Sequence, residues 1–258
     1  MTLPRHRAAI PRSMSDPQSS RQATDEPAIP AIEQVHSSAA RCGDNRSDLF
    51  APGGASAGTV RMFAQLRAAL AARTVTAAGI AAVYRYRDPD DVRGDLDRLR
   101  AAGLITAAGD GAIEATETGR AVLAEMYQVS AEVTGQLWSQ HDNALASLND
   151  LAGRLVQVGL ATGGDAYMTM APPYEPADAT VGVLFHHRLS VLRYHRADAH
   201  AASWQAAGLT SEAMMQLPAG PIRAAVEAET NRRAGVPYAT LSVDERVGLL
   251  AGFAALPG

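Results

Sequence analysis

The sequence predicts a mainly α protein: three short helices closed by a two-stranded hairpin, then an all-helical C-terminal region. Three observations carry this. Apolar residues recur at helical spacing through most of the chain after Thr59. Gly109-Asp110-Gly111 separates two short β-prone runs, the mark of a hairpin. Hydrophobic residues make up 47% of the chain and charged residues 19%, a balance that allows a buried core.

Residues 1–57 precede this pattern and read as a disordered N-terminal tail. They hold Pro, Ser, Gly, Arg and Asp with little apolar periodicity, and APGGASAG at 51–58 closes them as a flexible linker. A short helix near Ile32 to Ala40 fits within them. An inert tail is the commoner reading and a DNA-contacting arm the other. The opening stretch lacks the apolar run of a secretory signal.

From Thr59 the elements follow in order. Val60, Phe63, Leu66, Ala69 and Leu70 predict a helix over roughly 59–73. Thr76 offers an N-cap for a short second helix carrying Ile80 and Val83, and Tyr84 to Arg87 form a tight connection. Asp88-Pro89-Asp90-Asp91 is a strong helix start: an N-cap, a Pro at the first turn, and two acids facing the positive end of the dipole. The third helix buries Val92, Leu96 and Leu99 and stops at Gly103. Leu104–Thr106 and Ala112–Ala115 are the hairpin strands, and Thr118-Gly119-Arg120 opens a long helix through Val122, Leu123 and Met126.

Two motifs in this stretch resemble the MarR-like superfamily of transcription regulators: DVRGDLDRLRAAGLI at 91–105, and ATETGRAVL at 115–123. The resemblance implies a winged helix-turn-helix domain with a two-stranded wing over 58–127. It also implies that the third helix enters the major groove of double-stranded DNA while the wing meets the minor groove. The expected contacts are Arg93, Gly94, Asp97, Arg98 and Arg100 on the outward face, with Arg85 and Arg87 in the preceding turn. Arg pairs with guanine or neutralises phosphate, Asp97 can accept from cytosine, and Gly94 would allow a close approach.

Charge argues the other way. Between Arg85 and Arg100 stand five Arg and five Asp, and the wing GDGAIEAT carries Asp110 and Glu114 where such wings usually carry a basic tip. The net charge of −4 excludes a general polyanion binder. A second reading therefore stands beside DNA binding: a degenerate winged helix that packs or binds a partner, with the C-terminal helices acting as a small-molecule binder or an enzyme.

Residues 128–258 predict an all-helical dimerisation or effector domain. Leu137, Leu145, Leu148, Leu151, Leu155 and Val158 mark one or two helices broken near His141-Asp142-Asn143. AYMTMAPPYEP at 166–176 reads as an apolar loop. A helix over about 178–207 is apolar on every side, which argues burial between other helices. Gly220-Pro221 opens a helix to about Arg233, and Ser242 with Glu245 forms a capping box for the last. That last helix resembles the terminal dimerisation helix of MarR-like proteins. Leu249, Leu250, Phe253 and Leu256 need cover, which a homodimer is expected to supply, burial within one chain being the alternative.

The 178–207 helix also holds a polar cluster. His187, Tyr194, Asp198 and Trp204 are the candidate ligand-binding residues, and Tyr167, Met168, Met170 and Tyr174 the candidate pocket walls. An internal polar network explains the same residues without a ligand and is the commoner case. His195 and His200 are five apart and diverge on a helix, so a metal would need ligands from elsewhere. No G-x-S-x-G, P-loop or G-x-G-x-x-G occurs, so neither an enzyme nor a cofactor is expected. A single Cys42 fits a reducing cytoplasmic setting, and no apolar run reaches membrane-spanning length. A small-molecule effector is implied by the family resemblance alone.

Overall fold

The computed structural model describes residues 57–257, so the expectations for the N-terminal tail lie outside the described residues. The chain is mainly helical, with one two-stranded antiparallel sheet. Helices α1 (Ala57–Leu70), α2 (Ala77–Val83) and α3 (Pro89–Ala101) lead into strands β1 (Ile105–Ala107) and β2 (Ile113–Ala115). Then follow α4 (Glu117–Trp138), α5 (Asp142–Gly159), α6 (Asp165–Met170), α7 (Val181–Ala206), α8 (Ser211–Gln216) and α9 (Pro221–Ala234). A 3-10 turn, Pro237–Thr240, leads to α10 (Val243–Ala255).

The capping residues act as their chemistry requires. The side chains of Thr76, Asp88 and Thr116 accept amides in the first turns of α2, α3 and α4. Ser242 and Glu245 close a reciprocal capping box on α10, at 3.2 and 2.7 Å. Gly103 leaves α3 at φ 69°, and Gly109, Asp110 and Gly111 all turn through positive φ between the strands. The first helix ends three residues before the expected Arg73. The chain must extend there, because Val75 bridges Ile113 by two backbone bonds of 2.8 Å and so widens the hairpin by one residue.

The stretch read as a loop at 166–176 begins instead as helix α6. Gly164 gives this helix no side-chain cap of its own. The cap comes from α7, where the Asp198 carboxylate accepts the Ala166 and Tyr167 amides at 3.3 and 2.8 Å. A tertiary contact thus makes a helix that local spacing does not announce.

Helix α7 is the axis of the molecule. It packs on α4, α5, α6, α8 and α9, and its buried residues lie on all sides, as the apolar residues spread around it predict. One connected core runs from Phe63, Leu66 and Leu99 near the hairpin through Leu123 to Leu155, Phe185 and Phe253. Leu249, Phe253 and Leu256 are buried within this single chain, with Phe253 stacked on Phe185 at 5.9 Å. Their need for cover is met without a second copy.

Candidate functional site

Helix α3 presents two faces. Val92, Leu96 and Leu99 face inward, and α3 packs against α1. Arg93, Asp97 and Arg98 are exposed on the outer side, with Gly94 and Arg100 half-buried. A methyl group at Gly94 would meet only Arg98, at an ordinary 3.5 Å. In the hairpin, Asp110 and Glu114 are exposed.

All five arginines of the stretch are bound to carboxylates inside the chain. Arg93 pairs with Asp90 at 2.6 Å and Arg100 with Asp97 at 2.7 Å, both i,i+3 pairs in which the Asp is well exposed. Such exposed pairs are worth about 0–1 kcal/mol, so a phosphate can displace the Asp. The other three arginines are tied to buried acids. Arg87 and Arg98 both reach Asp95 at 2.7 Å, and Thr59 donates to the same carboxylate at 2.9 Å. Burial alone would raise the Asp95 pKa, but these three hydrogen bonds outweigh it and hold the carboxyl below its usual range. Arg85 turns away from the α3 surface altogether and pairs with Asp198 of α7.

Asp95 was legible in the spacing. At 92, 95, 96 and 99 it falls on the apolar stripe of α3, where an acid must find buried partners. Nothing local announced the Arg85–Asp198 pair, which links residues 113 apart.

The four candidate ligand residues on α7 are not gathered at one point. From His187 to Trp204 the helix rises about 25 Å, too far for one small ligand to touch both. Each is instead engaged within the chain. His187 packs edge-on against Tyr127 at 4.7 Å, and burial, with Arg67 nearby, pushes its pKa well down. Tyr194 is buried, with the Arg193 guanidinium 5.5 Å above its ring. Asp198 caps α6 and holds Arg85, and Trp204 donates to the Tyr86 hydroxyl at 2.9 Å. Of the candidate pocket walls, Tyr167 and Met170 are buried core residues, while Met168 and Tyr174 are exposed. Among the described residues no three His, Cys, Asp or Glu side chains are grouped to hold a metal ion.

A groove of about 290 Å³ lies between the α1–α2 connection and α6, lined by Arg73, Thr76, Gly79, Asp165, Met168 and Thr169, of which the sequence marks Met168 alone as a pocket wall. Its one cation is already engaged: Arg73 donates to the Thr169 and Pro172 carbonyls at 3.2 and 2.9 Å. Sequence spacing missed the polar seam between Tyr84–Arg87 and α7, where Tyr86, His200 and Trp204 join Arg85 and Asp198. Comparison with protein families, curated proteins and solved structures finds no match for the chain.

Proposed function

We propose that the chain is a winged helix-turn-helix regulator of the MarR-like type that binds double-stranded DNA through α3, as a homodimer. The placement of α3 supports this reading. Its apolar side is buried and its Arg-bearing side is uncovered, with the hairpin following directly, as groove insertion requires. Arg93 and Arg100, held only by exposed acids, are the cations best able to change partner. Val243 and Val247, at i and i+4 on α10 and 59% and 53% exposed, leave an apolar strip that a second copy could cover.

This surface predicts weak, shallow electrostatics. Two phosphates neutralised per protomer give a dimer a slope of log K against log salt of about −4, well short of a strongly basic regulator. Fluorescence anisotropy with the promoter region of its own gene, at low and moderate salt, tests it. Salt-dependent binding that weakens about tenfold or more in Arg93→Ala is the expected result. No salt-dependent binding at micromolar protein would overturn it.

The ion pairing itself favours a second reading, in which the module packs or binds a partner and the helical region does the work. Across residues 57–127 nine Arg meet nine Asp and Glu, and three of the five arginines expected at DNA are fixed on buried carboxylates. Failure of the titration selects this reading.

A further inference from the structure

The chain entering α3 is fastened to α7 at two adjacent points. Arg85 pairs with Asp198, and one residue on, the Tyr86 hydroxyl lies 2.8 Å from His200 Nδ1 and 2.9 Å from Trp204 Nε1. Chemistry sets the direction of the second fastening. An indole N–H only donates, so the Tyr86 oxygen accepts from Trp204 and its own proton points to His200 Nδ1. The tautomer that gives this proton a partner leaves Nδ1 as the acceptor and places the ring proton on Nε2, 3.5 Å from Glu227 Oε1 and without a hydrogen bond of its own.

We propose that this chain of groups, Trp204 to Tyr86 to His200 to Glu227, is a proton-sensitive latch that holds the entry of α3 against α7 and opens when His200 is protonated. A proton on Nδ1 removes the acceptor of Tyr86. The hydroxyl would then face two donors, with its own hydrogen left without a partner in a closed seam.

The charges around His200 oppose its protonation in the closed seam. Arg85, itself paired with Asp198, faces it from the turn, Arg196 from its own helix and Arg223 from α9, while Glu227, 40% exposed and also paired with Arg196 at 3.1 Å, favours the charged ring. Burial, the largest influence, lowers the His200 pKa, Glu227 raises it in part, and the three guanidiniums lower it again. Tyr86 and Trp204 belong to a small satellite cluster with Ala201, Met214 and Val226, separate from the main core. That cluster can open while the main core stays shut. The latch sets the position of α3 whatever α3 meets, so its test needs no DNA.

Hydrogen exchange of the full chain at pH 7.5 and 5.5, corrected for the intrinsic rate, reads the opening directly. If the open seam restores an ordinary histidine, protection over residues 84–92 falls on acidification, by up to about tenfold. The reference is the same stretch in His200→Gln, because core amides such as those of α5 also report the global loss of stability that the other buried histidines cause. In His200→Gln, whose amide oxygen still accepts from Tyr86, the extra fall at 84–92 disappears. No extra fall in the parent protein, or the same fall in His200→Gln, overturns the latch. Should His200→Gln not fold, the pH profile of the parent chain decides: the extra fall at 84–92 sets in at about pH 6.5, where an open-state histidine begins to bind protons, and an extra fall that sets in only below about pH 5, where carboxylates titrate, overturns the proposal.

Discussion

At the scale of single residues, Asp95 shows how an acid is carried on the buried stripe of a helix. A lone carboxylate there would be costly, and the chain meets it with two guanidiniums and a hydroxyl, leaving it 2% exposed. Asp95→Asn keeps the shape and removes the charge. We expect it to lower unfolding free energy by about 1–3 kcal/mol in urea titration. Arg93→Ala, losing only an exposed pair, should change it by less than about 0.5 kcal/mol. Equal effects of the two would refute the hub. The Asp95 contribution has a defined pH window: with its folded pKa depressed, it is complete above the unfolded value and is lost as pH falls through the folded one.

At the scale of elements, the packing of α4 on the hairpin rests on Gly119. Thr116 caps the helix through the Gly119 amide, and its own amide bonds the Leu104 carbonyl at 3.1 Å. The first turn of α4 is thereby drawn so close that a Cβ at position 119 would collide with that same carbonyl oxygen. Helix propensity favours Ala over Gly by about 1 kcal/mol, so an exposed site would gain from Gly119→Ala. Here we expect a loss of about 2 kcal/mol or more by thermal or urea unfolding, and a neutral result would mean that α4 can shift freely. These elements were legible because their signals are local: Thr76, Asp88, Thr116 and Ser242 cap the first turns of their own helices, and Gly103 sits at the turn it permits. Helix α6 was not, since its cap is Asp198, more than thirty residues away. The candidate sites divide on the same line. The outward face of α3 follows from its apolar period, whereas the inward turn of Arg85 and the dispersal of His187, Tyr194, Asp198 and Trp204 depend on which helices α7 meets.

At the scale of the whole molecule, α7 places four histidines against its neighbours. His186, His187 and His195 are buried and His200 half-buried, and burial is the leading cause that lowers each pKa, to about 3 for His186. The unfolded chain returns each ring to an ordinary value near 6.5, so below that pH it binds protons that the folded state refuses. Stability must therefore rise with pH and be lost as pH falls through the unfolded value, the loss continuing until the folded pKa is reached. For a ring that stays neutral, moving from pH 7.5 to 5.0 costs about 2 kcal/mol. The two deepest, His186 and His187, together cost about 4 kcal/mol, a large part of a typical folding free energy. Urea titrations at the two pH values should show the midpoint falling with little change in slope, because the surface exposed on unfolding is the same. His187→Phe keeps the ring against Tyr127 and should recover about half of that loss. A midpoint that does not move between pH 7.5 and 5.0 would mean that these rings are protonated in the folded chain, and that α7 is more open to water than its packing on five neighbouring helices allows.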